Sequence, residues 1–407
     1  MEEGATAVAA AGDESEAAPA PRDRRDRWFI AVALLPLVVS AVALVVDVGT
    51  TWMPTGDHAG TELYVRDIGR HEVLVGLWSR ANWSHPGPLL FYLLAPFYWL
   101  TGGASIGLSI GALAVNGASV AGMAAVARRL GGVPLLLCTL LGCSLVMRTL
   151  GADFLHDPQN IYVPTLPLAL LVFLTWAMAC GETWALPAAA FVASFVAQTH
   201  VGFVALAGPL LAFGAAWMVV SIVRSDRLDG RRRLARPGAA AVAILAVVWL
   251  PPLLDVVYNA PSNIRNIVEW FVDADEGVHT LGEGWRVITG QFGFPPESLT
   301  TKRGVAWGTG ESPLLHAAPL PILLVPVSVA AVFLWRRARE GRALVATLAL
   351  VLVLAIVSVT RTVGPALDYR LRWTWVPALV AFVGTGWAGW LAARTRWGRC
   401  ADRVLTA

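Results

Sequence analysis

The side chains best suited to chemistry sit in four short stretches. The first reads Trp52-Met53-Pro54-Thr55-Gly56-Asp57-His58, followed by Glu62, Tyr64, Arg66 and Asp67. Carboxylates serve as general bases toward hydroxyl groups. Asp57 directly follows a glycine and precedes a helical pattern, where backbone can hold it in place. An N-cap would use the same residue in the same position, and Glu62 and Arg66 have the spacing of an ordinary i,i+4 ion pair. The second stretch, Trp78-Ser79-Arg80-Ala81-Asn82-Trp83-Ser84-His85-Pro86-Gly87-Pro88, interleaves aromatic rings with Arg80 and His85, which an interfacial aromatic belt does not require. The third, Leu155-His156-Asp157-Pro158-Gln159-Asn160, places a carboxylate between two apolar runs. That is a functional position by default, or a helix N-cap with Pro158 at the first helical residue. The fourth holds Arg361 and Asp368-Tyr369-Arg370-Leu371-Arg372-Trp373. Guanidinium groups match phosphate bidentately; pairing with Asp368 is their plainer use.

These stretches are polar islands in an apolar chain. Of 407 residues, 56% are hydrophobic and 14% charged, with mean hydropathy +0.61, whereas a soluble domain carries about 25% charged residues. Lipid accounts for that surface, and a net charge of +3 gives no reason to expect a nucleic-acid partner. Apolar runs at 28–46, 104–127, 132–149, 161–180, 184–199, 202–223, 238–257, 316–335, 343–360 and 373–393 approach or reach the length of a span. A further run, 87–100, is shorter and opens on prolines. Arginine clusters at 22–27, 128–129, 224–236, 336–342 and 394–403 decide its fate. If 87–100 does not cross, every cluster lies on one side, as the positive-inside rule requires.

The expectation is an all-α polytopic membrane protein of about ten transmembrane helices, with 87–100 as a juxtamembrane helix on the outer face. A disordered cytoplasmic tail (1–27) precedes a transmembrane domain (28–393) and a basic cytoplasmic tail (394–407). Outer loops at 47–103, 150–160, 258–315 and 361–372 hold all four stretches. The run from Trp28 is too long for a signal-peptide core and reads as an anchor. Cys138, Cys143, Cys180 and Cys400 lack C-x-x-C spacing and read as packing residues. His200 also reads as packing, and Arg148 is a weaker phosphate candidate. Asn259–Asn266 and Asp273, Asp275 and Glu276 show no metal-ligand spacing.

The arrangement resembles the GT-C class of membrane glycosyltransferases, in particular the branch of protein O-mannosyltransferases and lipid A aminoarabinose transferases. The likeness rests on Asp57 early in the first loop, on His85-Pro86-Gly87-Pro88-Leu89-Leu90-Phe91-Tyr92, on the Asp157-Pro158 step and on Tyr369-Arg370-Leu371-Arg372. It covers residues 28–200 and the remainder loosely. The family commonly has Asp-Glu where Asp57-His58 stands and Pro-Pro where Pro86-Gly87-Pro88 stands, which leaves donor and acceptor open. The resemblance implies sugar transfer from a polyprenyl-phosphate carrier to a glycan, lipid or protein acceptor outside a bacterial cytoplasmic membrane. It implies Asp57 as base and Asp157 as a second catalytic carboxylate. Arg370, Arg372 and Tyr369 would meet the phosphate, and Glu62, Asp67, Arg80 and His85 the substrates. Metal dependence is left open by the residues, a divalent ion shared by Asp57 and Asp157 being one option. The rival readings are a transporter or flippase of lipid-linked sugars, which would favour charges within spans, and a non-catalytic envelope-assembly scaffold.

Overall fold

In lipid every backbone N–H and C=O must be satisfied within its own segment, so an apolar run has the helix as its local solution. The computed structural model is described over residues 24–48, 52–225, 227–273, 278–300 and 310–398. Each apolar run is helical over most of its length there. The chain opens with α1 (Arg24–Ala33) and α2 (Leu35–Ala43), broken just before Pro36. α3 (Asp57–Asp67) and α4 (Leu89–Leu100) occupy the first loop. α5 (Ile106–Leu150) is interrupted at Gly132 (φ 68°, ψ −158°), which separates the runs 104–127 and 132–149 into two arms. α6 (Ala152–His156), α7 (Thr165–Ala179), α8 (Ala185–Thr199), α9 (Val204–Ser225) and α10 (Arg227–Tyr258) follow. α11 (Asn263–Asp273), α12 (Leu281–Gly290) and α13 (Glu297–Thr300) belong to the long loop. α14 (Leu324–Arg337), α15 (Arg339–Thr360) and α16 (Trp375–Trp397) complete the chain. Among the described residues, β structure is limited to isolated bridges.

Five helical stretches, 106–150, 201–224, 232–258, 339–360 and 368–397, are long and apolar enough to cross a membrane. α7 and α8 have 15 residues each, about 22 Å of helix, against a hydrocarbon core of about 30 Å. The helix lengths thus establish a polytopic, mostly helical membrane protein and not a count of ten spans. Prolines explain much of the shortening, because they remove a backbone donor. α7 starts only after Pro164, and α14 only after Pro319 and Pro321. The tails also end sooner than expected, since 24–27 and 394–397 are helical. The remainder of both tails, with Asp275, Glu276 and Cys400, lies outside the described residues.

α7 forms the centre of the bundle. All of its residues except Leu170 are buried, and it packs against α5, α8, α9, α15 and α16. A helix apolar on every side requires such a position. The flanks show the opposite character: α2 exposes Val38, Val39 and Val42, and α10 exposes Val242, Val247, Leu250 and Leu253, as lipid-facing surfaces do. Cys143 is buried in this packing, and Cys138, Cys143 and Cys180 are all free thiols.

The two ends of α7 differ chemically. At its C-terminal end Arg129 Nε donates to Glu182 at 2.6 Å, Trp176 Nε1 donates to the Glu340 carbonyl at 2.9 Å, and Arg339 approaches Gly181. Two of the arginine clusters therefore gather at one end of the bundle. The Asp57 and Asp157 segments lie at the other.

Candidate functional site

α3 brings the first carboxylate. Gly56 precedes it at φ 55°, ψ −128°, a conformation that side chains resist, and it starts the helix at Asp57. Asp57 is therefore the first helical residue and not the N-cap, with its charge beside the helix N-terminus, where the dipole favours an anion. α3 is fixed from below by Tyr64 stacked on Phe91 at 4.8 Å and by Glu62. Tyr98 Oη and Ser105 Oγ both donate to the Glu62 carboxylate, at 3.0 and 2.6 Å. Glu62 thus ties α3 to α4 and α5, and the ion pair its spacing allows with Arg66 does not form.

The second carboxylate comes from the turn after α6. Ser40 Oγ contacts the Ala152 carbonyl at 2.7 Å and His156 Nδ1 at 3.0 Å. Asn116 Nδ2 donates to the Leu155 carbonyl at 2.8 Å. Asn160 Nδ2 reaches Thr199 O at 3.4 Å. These bonds hold α6 and its exit, where Asp157 Oδ1 accepts from the Gln159 backbone N–H at 2.9 Å. Asp157 closes this local turn in place of capping a helix.

The two carboxylates meet through Gln159 and His58. Gln159 Nε2 donates to Asp57 Oδ2 at 3.1 Å, and His58 Nε2 contacts Asp157 Oδ1 at 2.6 Å. Burial alone would lower the His58 pKa, but the Asp157 bond and charge, with the charge of Asp57, outweigh it and raise the pKa above 6.5. The charges of Asp157 and Asp57 thus favour the protonated form of His58. Its side chain and that of Asp157 are 15% and 11% exposed, whereas Asp57 is exposed. Among the described residues Asp57 Oδ1 has no protein partner, so one oxygen remains available to a ligand. No group of three or more His, Cys, Asp or Glu residues among them is arranged to hold a metal ion.

A second wall is built from the later stretches. Tyr162 packs on Phe154 at 4.5 Å and edge-on to Tyr369 at 6.4 Å. Arg370 Nε donates to Tyr369 Oη at 3.2 Å. Its neighbour has a different fate: Arg372 is buried, donates to Asp368 at 2.5 Å, and lies over Trp375 at 5.1 Å. Of the two expected phosphate contacts, Arg370 is therefore the one without a carboxylate partner among the described residues.

His85 reaches this wall through a clamp. Asn263 exchanges bonds with the Ser84 backbone at 2.7 and 2.9 Å, and buried Asp255 accepts from the Asn263 N–H at 2.7 Å. The Gly87 N–H donates to the Gln198 carbonyl at 3.2 Å. Here glycine is needed for space, because a Cβ on Gly87 would stand 2.6 Å from Gln198 Cδ. The His85 ring lies tilted against His200, with centroids 4.3 Å apart. Arg80 is exposed in the Ser79–Trp83 turn and Asp67 closes α3; neither joins the cluster. His58, Gln159, His200, Asp255 and Asn263 do join or support it, although sequence assigned none of them a site role. Two signals were available: His58 stands beside Asp57, and Asp255 lies within an apolar run.

An apolar groove of about 1030 Å³ runs beside the site, between α1–α2 and the second arm of α5. Val32, Leu35, Val39, Leu137 and Leu141 line it, and Arg148 and Asp153 stand at one end. Its wall at Gly151–Leu155 leads directly into Asp157.

Fold and site together define a polytopic helical membrane protein with a carboxylate–histidine cluster at one end of its bundle. No protein-family model matches the chain, and no curated protein is significantly similar to it.

Proposed function

We propose that the protein is a glycosyltransferase that moves a sugar from a polyprenyl-phosphate carrier to an acceptor hydroxyl at the outer face of a bacterial cytoplasmic membrane. The observation that carries this reading is the joining of Asp57 and Asp157 through Gln159 and His58. The Arg370 wall adjoins it through Tyr162 and Tyr369. Arginine clusters at the opposite end of α7 support an outward site and cytoplasmic termini, since basic ends stay cytoplasmic; a ten-span count is part of the same proposal.

In this reaction the acceptor oxygen attacks the anomeric carbon and gives its proton to Asp57. The bond between that carbon and the phosphate oxygen breaks, and the electron pair leaves with the phosphate. Arg370 neutralises the charge that develops there. One base acting without a covalent intermediate inverts the anomeric centre. His58, held by Asp157, keeps the two carboxylates from repelling one another and orients Asp57 through the shared α3 turn. Acceptor identity stays open among glycan, lipid and protein.

The test is transfer from labelled polyprenyl-phosphate sugars in membranes. Asp57→Asn is expected to lower the rate by about 10²- to 10⁴-fold. Transfer by this variant at the unmodified rate would remove Asp57 from the mechanism. Failure of every donor with the unmodified protein would move the reading to a flippase or scaffold.

A further inference from the structure

Side chains three and four positions apart share one side of a helix, and on α11 (Asn263–Asp273) this spacing produces three different rows. Asn263, Ile267 and Trp270 form the first, Ile264, Val268, Phe271 and Val272 the second, and Arg265, Glu269 and Asp273 the third. The first row faces the protein. Asn263 and Ile267 are buried, Asn263 is locked to the Ser84 backbone, and the Trp270 ring packs on buried Trp83 at 5.5 Å. The third row is charged and exposed, with Arg265 Nε donating to Glu269 at 2.6 Å.

The second row is apolar yet points outward. Val268, Phe271 and Val272 are 56%, 42% and 76% exposed. A helix on a water-soluble protein turns its apolar stripe toward the core, but here another row already occupies the inward side. Protein on one side, charge on the second and bare apolar groups on the third are what a helix lying in a membrane–water boundary requires.

The height of α11 agrees with this. The Asn263 N–H donates to the buried Asp255 carboxylate at 2.7 Å, so α11 starts level with the last turn of α10. In that turn Val256, Val257 and Tyr258 are exposed, and they continue the lipid-facing flank formed by Val247, Leu250 and Leu253. Tyrosine is common where a span meets the interface. The lipid-facing surface of α10 thus runs to the point where α11 leaves it.

We propose that α11 is an interfacial anchor whose row Ile264, Val268, Phe271 and Val272 enters the headgroup–acyl boundary of the leaflet on the side of the candidate site. The row Arg265, Glu269 and Asp273 faces water. The partner surface is neutral lipid. One cation stands against two carboxylates in the charged row, so apolar burial holds the helix down and attraction to anionic headgroups does not. Asn263 grips Ser84, and Trp270 and Phe271 cover Trp83. The anchor thereby also fixes the height of the Trp83–His85 turn above the bilayer. The inference depends on the membrane-protein fold and not on sugar transfer.

The experiment measures depth in the full-length protein reconstituted into phosphatidylcholine nanodiscs. The variants are Val268→pAcF, Val272→pAcF and Glu269→pAcF, where pAcF is p-acetylphenylalanine carrying a nitroxide, a chemistry that leaves the native cysteines untouched. All three positions are exposed, so each labelled protein is expected to keep the unmodified melting temperature. Collision rates with oxygen, which concentrates in lipid, and with a water-soluble nickel chelate give the depth of each label. Labels at 268 and 272 are expected about 5–10 Å inside the headgroup boundary, and the label at 269 on its aqueous side. The depths are expected to stay unchanged when phosphatidylglycerol or salt is added. Nickel-dominated collisions at 268 and 272 overturn the proposal. Shielding of both labels from oxygen and nickel alike also overturns it and assigns the row to a protein partner such as a second copy of the chain. Insertion seen only with phosphatidylglycerol rejects the neutral-lipid surface.

Discussion

Replacing His58 with alanine probes the centre of the cluster. The His58–Asp157 contact is short, at 2.6 Å, and both side chains are mostly buried. A charge-assisted bond of that kind contributes about 1.5–3 kcal/mol, so His58→Ala is expected to destabilise the protein by about 2 kcal/mol at pH 6. The pH dependence has a fixed sign. The folded pKa of His58 lies above its ordinary 6.5. The proton-linked part of its stabilisation is therefore complete below about pH 6.5 and is lost as pH rises through the folded value. Between the two values the slope approaches about 1.4 kcal/mol per pH unit. Reversible unfolding in mixed micelles, followed by tryptophan fluorescence from pH 5.5 to 9, reads both quantities. The gap between His58→Ala and the unmodified protein should narrow as pH rises. A gap that widens, or stays flat across this range, would refute a His58 whose protonated form Asp157 and Asp57 favour.

Gly87→Ala places a methyl group 2.6–2.7 Å from Gln198 Cδ and Cγ, and overpacking of a buried contact costs about 1–3 kcal/mol. Lowered thermal stability is expected. Asp368→Ala leaves Arg372 without its 2.5 Å carboxylate partner; a loss of roughly 2–4 kcal/mol is expected in the same unfolding assay. Arg370→Gln should change stability by less than about 1 kcal/mol, a contrast that fails if both arginines are structural.

Which parts of the site sequence could reveal depends on charge and place. Asp57, Asp157 and Arg370 were legible because charges at the edges of apolar runs stand out. Gln159 was not, since an amide in a loop carries no such signal, yet it is the residue that joins the two acids. Asp255 was hidden inside an apolar run, and its use became visible only when α10 delivered it to Asn263. His200 looked like packing because its partner, His85, lies on a different segment. Arg80 and Glu62 have the right chemistry in the wrong orientation: one sits in an exposed turn and the other is committed to Tyr98 and Ser105. A mostly helical membrane protein was readable from the spacing of the apolar runs. Helix length was less so, because prolines at 164, 319 and 321 take residues from the starts of helices that hydropathy alone includes.

The groove between α2 and the second arm of α5 changes what concentration means for this protein. It lies on the lipid-facing flank, with Leu141 and Val39 at its open side. An amphiphile entering there is drawn from a two-dimensional solution, and its supply is set by mole fraction in the bilayer. Adding lipid or detergent at constant total ligand then dilutes it, even though the aqueous volume is unchanged. Occupancy at the Asp153 end of the groove would follow the composition of the membrane.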